Sequence, residues 1–510
     1  MKIIVKPKKL ALFVSCVLFF ILVKLYWFPK SEPNHFDTDN HFHGPMGPIV
    51  AMQKHKLRRQ NDPFKAPIAI QANPPRQMQD SPLRKVAANE ANYKLPVPWN
   101  DKNVHVSELM NVFSGNEQGY SVARIPAMIF HDGKFLVFCE ARTMVADFGH
   151  MAIISKRGSL LANNSIVWED SKIVVQIPAM RTMSPTAVYD KIRNTVVLIF
   201  LIIESTLSER QMVRDGEHHV QVAVVKSHDF GKTWTKWRDI TESTVNTIKN
   251  PKASAYAPGP GHGIQLKSGR LLIPGNHYQK DWSGLVGPKQ LFNNSDYSNV
   301  IYSDDGGDTW QMGGILPRSR DEEGRKIFAN EAQVAELDDG VIVMGIRTLD
   351  HHQSRAQAFS HDGGMTFSKA EIIPNLVEPG YKIQNRVLKP RVAPGCQASI
   401  VTFPAPNGAP GNKTWALFSN PASDTLRKFM SIRLSYDGCK TWSNPWTIYP
   451  WYSGYSDMTY LGNSESGPKF AIIYEGGHHT EVDQIMIKVF TLDAVLKGLT
   501  EKRFVFHGDG

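Results

Sequence analysis

One eight-residue pattern recurs four times in this chain: SHDFGKTW at Ser227–Trp234, SDDGGDTW at Ser303–Trp310, SHDGGMTF at Ser360–Phe367 and SYDGCKTW at Ser435–Trp442. The copies start 76, 57 and 75 residues apart. Each reads as a hairpin turn. The Asp accepts bonds from turn N–H groups, a Gly takes positive φ, the Thr returns the chain to strand, and the aromatic packs into the sheet. Between copies, short runs of Val, Ile, Phe and Tyr alternate with Gly, Asp and Asn turns, and no long helical period appears. Strand-built units at this spacing bury both faces only by stacking on neighbours. The expectation is an all-β fold, a six-bladed β-propeller over residues 96–510, whose first and last blades lack a clear copy of the pattern.

The chain ahead of this body reads differently. Leu10–Val23 is an apolar run, interrupted at Lys24 and continued by Leu25–Phe28, with Lys2, Lys6, Lys8 and Lys9 before it. The full stretch 10–28 can span a bilayer if Lys24 snorkels and Tyr26 and Trp27 sit among the headgroups. No small-x-small cleavage pattern follows, so an uncleaved signal anchor is favoured over a secretory signal peptide. The lysines place residues 1–9 as a cytoplasmic tail and the body in the lumen or outside, a single-pass type II arrangement; cleavage would make the protein secreted. Residues 29–95, rich in Pro, His, Asn, Gln and Lys, read as a disordered stem. Export makes the sequons at Asn163, Asn293 and Asn412 candidate glycan sites, hence a glycoprotein. With Cys16 in the span, Cys139, Cys396 and Cys439 remain, enough for one pair at most.

Lys and Arg outnumber Asp and Glu by 58 to 48, which favours an anionic partner without saying which. The basic residues form no dense block with aromatics, and no GxGxxG or Walker loop occurs, so neither nucleic acid nor a nucleotide cofactor is indicated. The pairs His218–His219, His351–His352 and His478–His479 are adjacent. Neighbours on a strand face opposite ways, so no such pair presents two imidazoles to one ion, and no metal is expected.

Four further segments carry chemistry: YSVARIPAM with Arg124, FCEARTM at Phe138–Met144, NEAQVAELDDGVIVMGIRT with Glu331 and Arg347, and ALFSNPASDTLRKFMSIRLSYDGCKTW with Arg427. With SGYSDMTYL and IIYEGG downstream, they resemble the motifs of the sialidase (neuraminidase) family across roughly residues 100–507. The recurring octapeptide is similar to that family's Asp box, also called the BNR repeat, which there is structural and lies away from the catalytic centre.

The resemblance implies an exo-α-sialidase of the bacterial-like, retaining class that removes terminal sialic acids from glycoproteins, glycolipids or oligosaccharides without a cofactor. Sialic acid carries a carboxylate on its anomeric carbon. Guanidinium groups suit it because they are always charged and bond bidentately. Arg124, Arg347 and Arg427 are the implied carboxylate-binding set, with Arg433 the competitor for the third place. Beside that carboxylate an anionic nucleophile is repelled and a neutral phenol is not, and sialidases are a known tyrosine exception among retaining glycosidases. The resemblance places Tyr455 as nucleophile, with Tyr452 and Tyr460 as decoys, and Glu331 as its base, since a phenol near pKa 10 needs one. Glu475 is implied as the brace of Arg124. Asp147, on a loop with Gly149, is implied as acid/base, its pKa expected to rise on burial. Glu140 and Arg142 are expected as a buried pair that orients the pocket. His262, His277 and Gln397 either touch the glycerol or N-acyl end of the substrate or are satisfied core groups. Alternatives within this reading are a trans-sialidase passing the sugar to an acceptor, preference for a deaminated sialic acid, and a non-catalytic sialoglycan-binding propeller.

Overall fold

The computed structural model describes residues 94–501 apart from 217, 281–293, 350–351 and 381–393. The predicted tail and membrane span lie outside the described residues, as does the stem up to residue 93. Leu95, Val97 and Trp99 already pack against the apolar core around Trp415.

The described body is all-β and β-propeller-like, with four hydrogen-bonded sheets. One runs Val122–His131, Lys134–Arg142 and Met151–Leu160, then Met180–Asp190, Thr195–Glu204, Gln221–Ser227 and Arg238–Asp239, with short strands at its side. The next contains Ala253–Pro258, Leu271–Lys280, Asn294–Ser303 and Gln311–Ile315. A third is the meander Phe328–Glu336, Ile342–Leu349, Ser354–Ser360 and Glu371–Val377. The last runs from Ser399–Pro404 through Thr414–Pro421, Lys428–Ser435, Trp446–Ser464 and Gly467–Gly477 to Gln484–Thr491. Its final strand takes the amino-terminal strand Met110–Phe113 beside it, Met110 opposite Ile487, so the two ends of the body share one sheet.

Local chemistry makes each octapeptide the turn that its sequence predicts. In the first copy Ser227 Oγ donates to Asp229 Oδ1 at 2.8 Å, Gly231 N–H donates to Ser227 Oγ at 2.8 Å, and Thr233 donates to Asp229 through both N–H and Oγ. Asp305, Asp362 and Asp437 repeat the pattern. Burial alone raises an aspartate pKa, but these bonds to the ionised form outweigh it and bring Asp229, Asp305 and Asp362 down to about 2. The turn needs two successive left-handed residues. Gly306–Gly307 and Gly363–Gly364 supply both, while Phe230 and Cys439 take positive φ beside a single Gly. The closing aromatics Trp310, Phe367 and Trp442 are buried as expected.

Blade cores are separate apolar clusters, for example around Phe200 and Leu198 or around Met344 and Ile346. Between them runs a polar seam centred on Asp457. Its Oδ2 accepts from Met128 N–H at 2.8 Å, and its Oδ1 from Ser399 Oγ at 3.0 Å and from His262 Nδ1 at 2.5 Å. One fully buried carboxylate therefore ties strands from two sheets together. Cys139, Cys396 and Cys439 are all buried free thiols.

Candidate active site

The strands that carry the site deviate from regular pairing at the site residues themselves. Register shifts between Arg124 and Ala127, where Ile125 has φ of 60°; between Ala329 and Ala332, flanking Glu331; and between Ser453 and Ser456, flanking Tyr455. Such irregularities re-aim a side chain out of the alternating pattern. Tyr455 thus lies within the long strand Trp446–Ser464, not on a loop.

Tyr455 is the centre of the cluster. Its hydroxyl donates to Glu331 Oε1, and Arg347 Nη1 donates to the other carboxylate oxygen at 2.6 Å and to the phenol oxygen at 3.2 Å. The guanidinium carbons of Arg124 and Arg427 stand 5.6 and 5.5 Å from the ring centroid. The three arginines therefore surround one phenol. Burial, then the charge of Glu331, pushes the Tyr455 pKa well above its ordinary value, against the pull of Arg347 and Arg427. The phenol is neutral at rest and already bonded to a base.

Glu475 grips Arg124 with both oxygens, Nε at 3.0 Å and Nη2 at 3.3 Å, and accepts the N–H groups of Ile125 at 2.9 Å and Tyr455 at 3.1 Å. Arg427 differs. Its Nη2 reaches only the Gly395 carbonyl at 3.3 Å, its Nε is buried without a partner, and among the described residues no carboxylate pairs with it. Arg433 is buried on its strand, donating to Ser443 O. Tyr452 lies under Lys428, and Tyr460 donates to Asn463.

Asp147 sits on the stretch between the strands ending at Arg142 and beginning at Met151, its side chain 70% exposed. Arg142 Nη1 donates to it at 2.7 Å, and Arg124 Nη1 stands 3.7 Å away. The expected upward pKa shift is reversed: burial raises it, but Arg142 and Arg124 together outweigh burial and hold the carboxyl below its ordinary value. Arg142 also pairs with buried Glu140 at 2.5 Å, and Glu140 accepts from Ser184 N–H. The pair thus holds the Asp147 stretch down.

His262 is committed to Asp457, buried His277 is bonded to Asn299 Nδ2 at 2.8 Å, and Gln397 links Pro260 O to Ser456 N–H. All three belong to the polar interior. Sequence reasoning missed Asp457, the buried pair Arg355–Glu378, and Tyr278, which bonds Glu209 and accepts from Asn330 beside Glu331. Arg355, Glu378 and Tyr278 sit in no distinctive motif, and Asp457 lies inside SGYSDMTYL, where attention went to Tyr455.

Comparison with known proteins identifies the family. The family described as a BNR repeat-like domain matches residues 150–467. Sialidase-3 of Bos taurus is 31% identical over 397 residues, covering 72% of this chain and 89% of that protein. The chain belongs to the sialidase family. Sialidase-4 of Homo sapiens is 29% identical over 440 residues, covering 71% of this chain and 88% of that protein. Of solved structures, the Hadza microbial sialidase Hz136 superposes with TM-score 0.56 at 22% identity, over 74% of this chain and 66% of that one. The intramolecular trans-sialidase of Ruminococcus gnavus superposes with TM-score 0.55 at 16% identity, over 77% and 99%. At those identities the likeness concerns the fold. As a family member the chain is a glycoside hydrolase, and its sheets and Asp boxes are the scaffold on which the arginine–tyrosine cluster stands.

Proposed function

We propose that this sialidase-family chain is a retaining exo-α-sialidase that hydrolyses terminal sialic acids on glycoproteins, glycolipids or oligosaccharides. The observation that carries the reading is Arg427. It is the one member of the arginine set that no carboxylate of the described residues neutralises, and it shares the Tyr455 ring with Arg124. A substrate carboxylate completes it, with Arg124 and Arg347 as the other donors.

That placement sets the anomeric carbon against the Tyr455 hydroxyl. Tyr455 attacks, its proton passes to Glu331, and the bond to the leaving oxygen breaks as Asp147 gives that oxygen a proton. Asp147, now ionised beside Arg142, takes a proton from water. The water oxygen then attacks the anomeric carbon as its bond to the Tyr455 oxygen breaks, and Glu331 returns its proton to that phenolate oxygen. Two displacements restore the starting configuration. The bound carboxylate cancels arginine charge around Asp147, which raises the proton affinity of the acid when it is needed.

Strand pairing supports six blades. Trp446–Tyr452 pairs back to Lys428–Ser435, while the remainder of the same strand pairs forward to Gly467–Gly477, so one strand serves two blades. The large sheets then divide into units of about four strands. Residues 10–28 are proposed as a signal anchor that leaves this head luminal or extracellular. Alkaline extraction and protease protection of the full chain test that.

Proton NMR of a sialoside digest tests the activity. The first-formed free sugar is expected as the α anomer. β-anomer release, or binding without turnover, overturns the reading.

A further inference from the structure

Three consecutive carbonyls each hold a different arginine. Pro394 O accepts from Arg347 Nε at 3.2 Å and Nη2 at 3.0 Å, Gly395 O accepts from Arg427 Nη2 at 3.3 Å, and Cys396 O accepts from Arg355 Nη1 at 2.8 Å. Two of these arginines face Tyr455; the third is nearly inaccessible. Arg355 Nη1 also donates to Glu378 Oε1 at 2.6 Å, and Glu378 Oε2 accepts Thr348 N–H at 3.2 Å, next to Arg347. The turn is pressed onto this pair. Gly395 has φ of 77°, and a Cβ there would stand 2.7 Å from Glu378 Oε2 and 3.0 Å from Arg347 Cγ. Gly395 N–H is tied to Pro379 O, immediately after Glu378.

A buried ion pair is poor evidence of stability gain, because desolvation offsets most of its attraction. Its geometric consequence here is specific. The pair fixes one end of the turn, and the turn sets the spacing of Arg347 and Arg427. Arginine is useful for a carboxylate only when its planar fork is presented at the right angle.

We propose that Arg355 and Glu378 are positioning residues for substrate-carboxylate binding, acting through the Pro394–Gly395–Cys396 turn on Arg347 and Arg427. This rests on the sialidase reading above.

A double-mutant cycle on the full chain tests it, using a fluorogenic sialoside and free sialic acid as competitor. Glu378→Gln is expected to raise KM and the inhibition constant about tenfold, the equivalent of one weakened charge-assisted bond, with a smaller change in kcat. In an Arg427→Ala background the same change is expected to add less than about threefold, because coupled residues are not additive. The variant Arg355→Met/Glu378→Met replaces the whole pair with apolar volume and retains the fold where Glu378→Gln does not; it is expected to give the same KM rise and the same loss of coupling. Unchanged KM in a folded variant, equal losses in kcat and KM with a lowered Tm, or a full additive effect beside Arg427→Ala overturns the inference alone. No turnover by the wild-type chain overturns the sialidase reading and this inference with it.

Discussion

Glu475 holds Arg124 through both carboxylate oxygens, at 3.0 and 3.3 Å, although the two residues lie 351 positions apart. Its side chain is fully buried, and it also accepts the Tyr455 N–H. Removing it leaves Arg124 charged in a site with 10% exposure. Glu475→Ala is therefore expected to destabilise by about 3–5 kcal/mol, read by urea unfolding. Glu475→Gln keeps the shape and should chiefly raise KM. Wild-type stability in the alanine variant would contradict this account.

The Tyr455–Glu331 bond carries the chemistry proposed for the cluster. Tyr455→Phe removes the attacking oxygen, and Glu331→Gln the proton acceptor. Each is expected to lower kcat by about 10²–10⁴-fold, the usual contribution of a positioned acid or base, with little change in Tm. Tyr460→Phe, whose hydroxyl reaches only Asn463, is expected to retain full turnover. Initial rates on a fluorogenic sialoside separate the three.

What the sequence made legible has a physical pattern. The Asp boxes were readable because every bond that defines them spans at most four residues, as from Thr233 to Asp229. Arg124, Arg347, Arg427, Tyr455, Glu331, Glu475 and Asp147 were singled out by motif; the fold sets the three arginines and Glu331 against the Tyr455 side chain, with Glu475 and Asp147 beside Arg124. Composition alone pointed to none of them. The Asp147 pKa was misjudged because its neighbours Arg142 and Arg124 could not be placed together from sequence. The seam at Asp457 and the Pro394–Cys396 turn were silent for a related reason: their partners come from distant strands, and Ser399, Met128 or a backbone carbonyl announces nothing. The register shifts at Glu331 and Tyr455 were likewise hidden, since they depend on pairing between strands.

Asp147 should impose a pH limit that can be moved. A general acid must carry its proton, so kcat/KM falls as pH rises through its pKa in the free enzyme. Arg142 and Arg124, acting against burial, hold that pKa low, placing the limb on the acid side of the ordinary aspartate range. Replacing the pair as Arg142→Gln/Glu140→Gln keeps the buried volume without leaving Glu140 unpaired. Loss of the Arg142 charge raises the Asp147 pKa, so the alkaline limb of kcat/KM is expected to shift to higher pH. A limb that stays in place would exclude Asp147 as its source.

The His262–Asp457 contact makes stability depend on pH at the centre of the fold. Burial pulls the His262 pKa down, but the charge of Asp457 and its 2.5 Å bond outweigh that, and the folded value is raised above the ordinary one. A histidine that binds its proton more tightly when folded stabilises the native state below its unfolded pKa, and that gain is lost as pH rises through the folded pKa. The same Asp457 gathers Met128, Ser399 and its own strand, so loosening His262 loosens contacts between sheets. The expected result is a Tm that falls as pH rises above the ordinary histidine value of about 6.5 in the wild type. In His262→Gln, which can still donate to Asp457 without titrating, the fall should flatten while the low-pH Tm drops. Scanning calorimetry of both proteins from below to above that value checks it, and parallel curves would mean that folding does not change the His262 pKa.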